Sequence, residues 1–371
     1  MRNEKRLNPQ SEIRNPQSES GLGFDERAVG ITSTIPVEVL LAAGRRPVDL
    51  NNVFISREDP EALVLEAEKN GFPANLCSWI KGIYSVVRQT GIREVVGVSE
   101  GDCSNTHALL EVLQSEGTKV YTFSFPYGRR AEDLAREIER FTRAFGTSIA
   151  RAEVVRKKLV PVRALVREVD RLTYEEDRVS GWENHFWTIS TSDFQGDPEA
   201  FAESLQGFLK EAKARSPLRE EIRLGYVGIP PIAGEIYSLS ERLGARVVYN
   251  EFQRQFSMPY DTTTIVEQYL QYTYPYDIFF RLGDIEREIV RRRIDGLIHY
   301  VQSFCFRQIS DRILKSRVHI PILTLEFNRP GNVDERTRTR LEAFLEMLME
   351  KKGRELGVKK GRSSEYGVRN P

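Results

Sequence analysis

Three cysteines stand far apart in a chain of 371 residues, at positions 77, 103 and 305. Cys305 follows the short apolar run Gly-Leu-Ile-His-Tyr-Val, bounded by Asp295 and Ser303, which suits a strand buried on both faces of a parallel sheet. Helical spacing takes over at Ile309, Ile313 and Leu314. Residues 320–325 read as the next strand, with Pro321 at its start, where a missing N–H does least harm. Cys103 has the same setting, a strand over 94–98, a loop of small polar residues and a helix over 105–115. Cys77 follows the candidate cap Asn75 and lies in the first turn of a helix striped by Trp79, Ile80, Ile83, Val86 and Val87. All three share one address, the amino end of a helix. The helix dipole there favours the thiolate, which is the metal ligand and the nucleophile.

The elements that must position them form two α/β units. The first spans 24–150, a helical connector spans 151–219, and the second unit spans 220–352. Near the start, Ser33 or Thr34 can cap a helix over 37–43, with Pro36 in its first turn, Glu38 complementing the dipole and Gly44 ending it. The first clear strand begins at Pro47, and another covers 119–123. Residues 131–150 and 155–169 read as charged helices, 181–187 as an aromatic-rich turn, and 198–215 as an amphipathic helix. His185, Trp182 and Trp187 in that turn read as packing under a loop. In the second unit a strand over 222–227 runs into Gly228, where glycine permits close approach of a ligand or backbone. It is followed by a helix through 239–243 and a strand over 246–249. The segment lacks the GxGxxG pattern of a dinucleotide site. The tyrosines between 269 and 276 read as core or partner surface, and 336–351 as a last helix. Residues 1–23 carry a near-duplication, NPQSEIR then NPQSES, with too few apolar residues to fold, and are expected as a disordered extension; 353–371 is expected as a flexible tail.

Lysine plus arginine total 54 and so do aspartate plus glutamate, a balance that argues against a nucleic-acid binder. The cluster Arg291, Arg292, Arg293 follows Glu286 and Glu288 and reads as a solvated helix face. No apolar run approaches the roughly 20 residues of a membrane span. The start lacks a signal-peptide pattern, so a cytoplasmic location is expected. An odd and small number of cysteines argues against a disulfide framework. The wide spacings also fit a closed zinc site poorly. If the two units face each other across a cleft, three thiolates can converge on one point and suit an iron–sulfur cubane with one iron lacking a protein ligand. The residues alone leave open the other account, three free thiols that fill space.

The three cysteine segments, in this order, resemble the iron–sulfur subunits of the 2-hydroxyacyl-CoA dehydratase and benzoyl-CoA reductase family. So do IPVEVLLAAGRRPVDL near the start and IDGLIHYVQSFC, ILKSRVHIPILTLEFN and TRTRLEAFLEML near the end, over roughly 32–347. The resemblance implies an α/β fold of two flavodoxin- or Rossmann-like parallel-sheet domains with a helical region. It implies a 4Fe-4S cluster held by Cys77, Cys103 and Cys305, with a flavin besides in some relatives. It also implies an acyl-CoA substrate, a related dehydratase subunit as heterodimer partner and an ATP-dependent iron–sulfur activator protein. The expected reaction is loss of water from a 2-hydroxyacyl-CoA. One recycled electron makes a ketyl of the thioester carbonyl, which expels the hydroxide and renders the β-proton acidic. Glu38, with Ser33 and Thr34, resembles the family's active-site edge and is expected to handle protons or donate hydrogen bonds. The alternatives are a subunit that reduces an aromatic acyl-CoA, a non-catalytic iron–sulfur electron relay, and a cofactor-free binding module. Asn328 stands where many relatives carry an acidic residue.

Overall fold

The computed structural model describes residues 24–364, so the expectation for 1–23 falls outside the described residues. Eight strands form two sheets. β1 (Ala28–Ile31), β2 (Arg46–Asp49), β3 (Glu94–Glu100) and β4 (Lys119–Ser124) build the first, in the order β2-β1-β3-β4. β5 (Ile222–Gly228), β6 (Ala245–Asn250), β7 (Gly296–Val301) and β8 (Ile322–Glu326) build the second, in the order β6-β5-β7-β8. Every pairing is parallel. The expected class, two Rossmann-like α/β sheets, is what the chain adopts. β6 and β7 are buried throughout and β5 at every residue but Arg223, as strands covered by helices on both faces must be.

The order places a switch point in each sheet. In the first, the direction in which successive strands are added reverses between β1 and β3; in the second, between β5 and β7. Open α/β sheets bind ligands in the crevice at such a point, outside the carboxyl ends of the strands. The connections leaving β1, β3, β5 and β7 are therefore the ones that line it. They carry residues 32–34, Cys103, Gly228 and Cys305 respectively.

One buried apolar cluster draws on both sheets, with Val95 and Leu110 from the first unit and Tyr226, Tyr300 and Leu325 from the second. Cys77 and Cys103 pack against it. A second cluster joins the other face of the first sheet to Tyr269, Tyr272 and Tyr276, which settles that aromatic segment as core.

Four local readings change. β1, missed in the sequence, is Ala-Val-Gly-Ile, four residues with no flanking turn chemistry; it is central and wholly buried, so its neighbours, not its propensity, make it a strand. The two charged helices are divided at Phe145–Ser148, and the second runs unbroken as Ile149–Tyr174 through Pro161. The aromatic-rich turn is a helix, Gly181–Ile189, started by a capping box of Ser180 and Glu183. The last helix, Glu335–Ser364, continues past Gly353. Among the described residues no helix is long and apolar enough to cross a membrane.

Candidate functional site

Each cysteine is the residue immediately before a helical segment. Cys77 precedes the helix Ser78–Thr90, Cys103 the helix Ser104–Ser115, and Cys305 the short 3-10 turn Phe306–Ser310. All three are free and half-buried. They stand where an oxygen-bearing side chain usually closes a helix start, and no such side chain closes these. Two backbone devices aim them. Gly101, just before Cys103, has φ +103°, and a Cβ there would lie 2.6 Å from Pro275 Cβ, so only glycine lets this loop lie against the tyrosine-rich segment. Before Cys305, Phe304 takes φ +60°, a left-handed turn unusual for a bulky residue.

The Cys77 thiol senses both other sulfurs. Burial is the largest influence on the Cys77 thiol and raises it; the first-turn N–H groups of Ile80 and Trp79 oppose that, and the charges of Cys103 and Cys305 add to it, leaving it pushed up to about 12. Cys103 is also raised, first by burial and then by the neighbouring Asp102 carboxylate. The expected thiolate at a helix end is therefore overruled at Cys77 and Cys103, because desolvation outweighs the dipole. In the metal-free chain these thiols hold their protons, and a metal would have to displace them.

Behind the cysteines lies a set of polar residues, of which the sequence singles out Asn328 alone. The Cys77 thiol donates to Gln302 Oε1 at 2.8 Å; the buried Gln302 amide donates to Tyr300 Oη at 3.4 Å, and that hydroxyl to the Phe327 carbonyl at 3.0 Å. Asn328 ties the helix after Cys77 to the loop before Cys305. Its carbonyl accepts from Ser78 Oγ, its side-chain oxygen accepts from Ser303 N at 2.8 Å, and its amide donates to Ser303 Oγ and Glu326 Oε1. Asp102 accepts from Cys103 N at 2.8 Å and Thr106 Oγ1 at 3.1 Å. Burial pushes its carboxyl up in spite of those bonds and of Arg307. Arg307 is buried two residues after Cys305 and donates to the Tyr274 carbonyl at 2.8 Å. The one sequence signal for these residues was adjacency to a cysteine, at positions 102, 302 and 307.

The residues expected beside the cysteines divide. Ser33 meets the Tyr274 hydroxyl, whose titration also responds to Cys103, Asp102 and Arg307. Thr34 stands beside the Tyr272 hydroxyl. Neither Thr34 Oγ1 nor Tyr272 Oη has a hydrogen-bond partner among the described residues. Glu38 is fully buried elsewhere in the same helix start. It accepts from Arg163 Nη2, Gln268 Nε2 and Tyr269 Oη, each at 2.8 Å. Burial raises its carboxyl, but the Arg163 charge and those donors outweigh it and hold it below the usual range. Its lone pairs are engaged in joining three helices.

Among the described residues no three His, Cys, Asp or Glu side chains are close enough to grip a single metal ion. The donor set suits a larger thiolate-held group. It comprises three sulfurs from both units, of which Cys77 responds to both others, with apolar core packed against Cys77 and Cys103 and first-turn N–H groups aimed at those two. The family model of the 2-hydroxyglutaryl-CoA dehydratase D-component matches residues 32–348. No individual curated protein matches the chain.

Proposed function

The chain belongs to the 2-hydroxyglutaryl-CoA dehydratase D-component family, and from that premise we propose that it is the cluster-bearing subunit of an enzyme that eliminates water from a 2-hydroxyacyl-CoA by a radical route. Cys77, Cys103 and Cys305 would hold a 4Fe-4S cluster. When bound there, such a group supplies one-electron transfer and an iron with a vacant position that acts as a Lewis acid. The observation that carries this reading is that thiols 26 and 202 residues apart in successive sequence steps (77 to 103, 103 to 305) lie near enough for Cys77 to respond to both others.

The chain's own residues would bind, orient and keep water out. Ser33 and Thr34, on the connection leaving β1, would donate hydrogen bonds to substrate oxygens beside Cys103, with the Tyr272 and Tyr274 hydroxyls as neighbours. The buried Asp102 carboxyl, raised by desolvation, would lie next to them and hold the Cys103 loop through its bonds from Cys103 N and Thr106 Oγ1. Glu38, with its lone pairs taken, serves as a positioning residue that fixes the helix following Thr34 against Arg163 and Tyr269. Tyr300 and Gln302 wall the side of Cys77 and exclude water there. In this reading a related dehydratase subunit completes the enzyme, an ATP-dependent iron–sulfur activator delivers the electron, and the pair works in the cytoplasm. A flavin, where present, would sit on that same electron path.

Anaerobic purification followed by iron and sulfide analysis tests the reading, with electron paramagnetic resonance before and after adding a 2-hydroxyacyl-CoA. The expected result is about four irons and four sulfides per chain, with a signal altered by the thioester. Cys305→Ala is expected to abolish that content. A variant with its full iron and sulfide would remove Cys305 from the ligand set.

A further inference from the structure

A cysteine that binds metal gives up its proton, and its sulfur then accepts hydrogen bonds without donating one. Any neighbour that accepted from the thiol must offer a donor instead, because an oxygen lone pair held against a thiolate is repelled. Most of what meets Cys77 and Cys103 already suits the ligating state. The first-turn N–H groups of Ile80 and Trp79 meet Cys77, and those of Thr106 and Asn105 meet Cys103. The Thr106 hydroxyl, 3.6 Å from Cys103 Sγ, donates as readily as it accepts. Gln302 is the exception. Its Oε1 lies 2.8 Å from Cys77 Sγ and accepts from the thiol, an orientation that opposes a ligating sulfur.

The surroundings of Gln302 accommodate the opposite orientation. The residue is 1% exposed, so its amide must find partners inside the protein. The oxygen and nitrogen ends of an amide are close in size and exchange by a half-turn about the last side-chain bond, with the backbone left in place. Little is surrendered by that turn, because the present bond from Gln302 Nε2 to Tyr300 Oη is long, at 3.4 Å. Afterwards Oε1 faces the Tyr300 hydroxyl, which can donate. That hydroxyl now donates to the Phe327 carbonyl at 3.0 Å and is met by the Ile232 N–H, so its hydrogen can swing to Oε1 while its oxygen keeps a donor. Gln302 Nε2 then presents a hydrogen to Cys77 Sγ. Methionine in this place would have no donor to present.

We infer that Gln302 is a positioning residue that tunes the thiolate-held group: with the cysteines ligating, its side-chain N–H donates to Cys77 Sγ and eases uptake of the electron. This rests on the cluster-bearing reading and adds a determinant of its reduction potential. A hydrogen bond to a ligating sulfur is stronger when the group carries one more negative charge, so it favours the reduced form and raises the potential. The donor comes from the residue after β7 and the sulfur from the first unit, 225 residues away in sequence, so the bond spans the two units.

Two measurements on the full-length, anaerobically purified chain test it. In a redox titration followed by electron paramagnetic resonance, Gln302→Met, which keeps the length of the side chain and removes its donors, is expected to retain native iron and sulfide content. Its midpoint potential is expected to lie below that of the unaltered chain. In pulsed resonance of the reduced protein with nitrogen-15 in its glutamine side chains, the unaltered chain is expected to show a nitrogen coupling that Gln302→Met lacks. Equal potentials in the two proteins, or the same coupling in both, would overturn the inference and leave the cluster reading standing. Should Gln302→Met fail to fold or to load, the unaltered chain decides alone, since absence of any glutamine coupling in its spectrum would overturn the tuning bond. An unaltered chain that holds no iron or sulfide would overturn both readings.

Discussion

Replacing Asp193 by asparagine should reverse the effect of alkaline pH on stability. Asp193 and Asp49 are both buried, and Asp193 Oδ2 accepts from Asp49 N at 2.7 Å while its Oδ1 accepts from Gln195 N at 2.8 Å. No cation is paired with either among the described ion pairs. Burial, then the neighbouring Asp49 charge, raises the Asp193 carboxyl from 3.8 to about 7. A carboxyl with a raised folded-state value favours folding by its protonated form. That stability is fully present below the unfolded value near 4 and is lost as pH climbs through 7. At about 1.36 kcal/mol per unit, the loss between pH 5 and pH 8 is on the order of 2–3 kcal/mol. Asparagine mimics the protonated acid and should not incur it, although it surrenders one acceptor for a backbone N–H at a pH-independent cost of about 1–2 kcal/mol. Urea unfolding followed by tryptophan fluorescence should therefore show the variant slightly weaker than the native chain at pH 5 and stronger at pH 8. Unfolding free energies that stay parallel across that range would refute the reasoning, since a carboxylate ionised throughout has no such slope.

Two further substitutions separate structural from chemical roles. Glu38→Gln strands Arg163 in the interior and should destabilise the chain by about 3 kcal/mol, a cost typical of a broken buried pair; loss of activity with an unchanged unfolding midpoint would instead make Glu38 a proton carrier. Gly101→Ala forces a side chain into a positive-φ position 2.6 Å from Pro275 Cβ. It should cost about 2 kcal/mol or more and lower iron retention, and wild-type thermal stability in that variant would show that the loop can move without harm.

Strands were legible wherever short β-branched runs ended in small polar loops, which is why β7 was bounded correctly at Gly296–Val301 and β3 began at Glu94 as expected. The cysteine addresses were legible for the same reason, since a strand, a loop and a helix define the position without knowledge of neighbours. β1 was not, because Ala-Val-Gly-Ile becomes a strand through pairing with residues 46–49 on one side and 95–96 on the other. Nor was the state of the thiols. Helix position favours a thiolate, and only the depth of packing reveals that burial wins at Cys77. Arg307 escaped because a single arginine in a polar loop looks solvent-bound; its burial against Tyr274, close enough to act on Asp102, is a property of the assembled core. Glu38 read as a residue of the site edge because its segment resembles the family's active-site edge, whereas its three partners come from helices more than 100 residues away.

The two sheets explain why there are three cysteines here and where a fourth would have stood. Cys103 follows β3 and Cys305 follows β7, the third strands of sheets with the same order, so these two occupy corresponding connections. Cys77 begins the helix that leads into β3. Its counterpart in the second unit begins the helix Ile278–Arg292, which leads into β7, and that position is Asp277. Asp277 closes its helix in the ordinary way, one oxygen accepting from Phe279 N at 2.8 Å and Phe280 N at 3.0 Å. Cys77 leaves its own helix start without such a bond and sends its thiol to Gln302 across the interface between the units. A side chain spent on capping is not free to ligate, and one that declines to cap is. The duplicated architecture thus supplies four comparable positions, three occupied by cysteines whose side chains do not close their helices and the fourth by a carboxylate that does, so that three candidate donors rather than four follow from helix capping as much as from residue type.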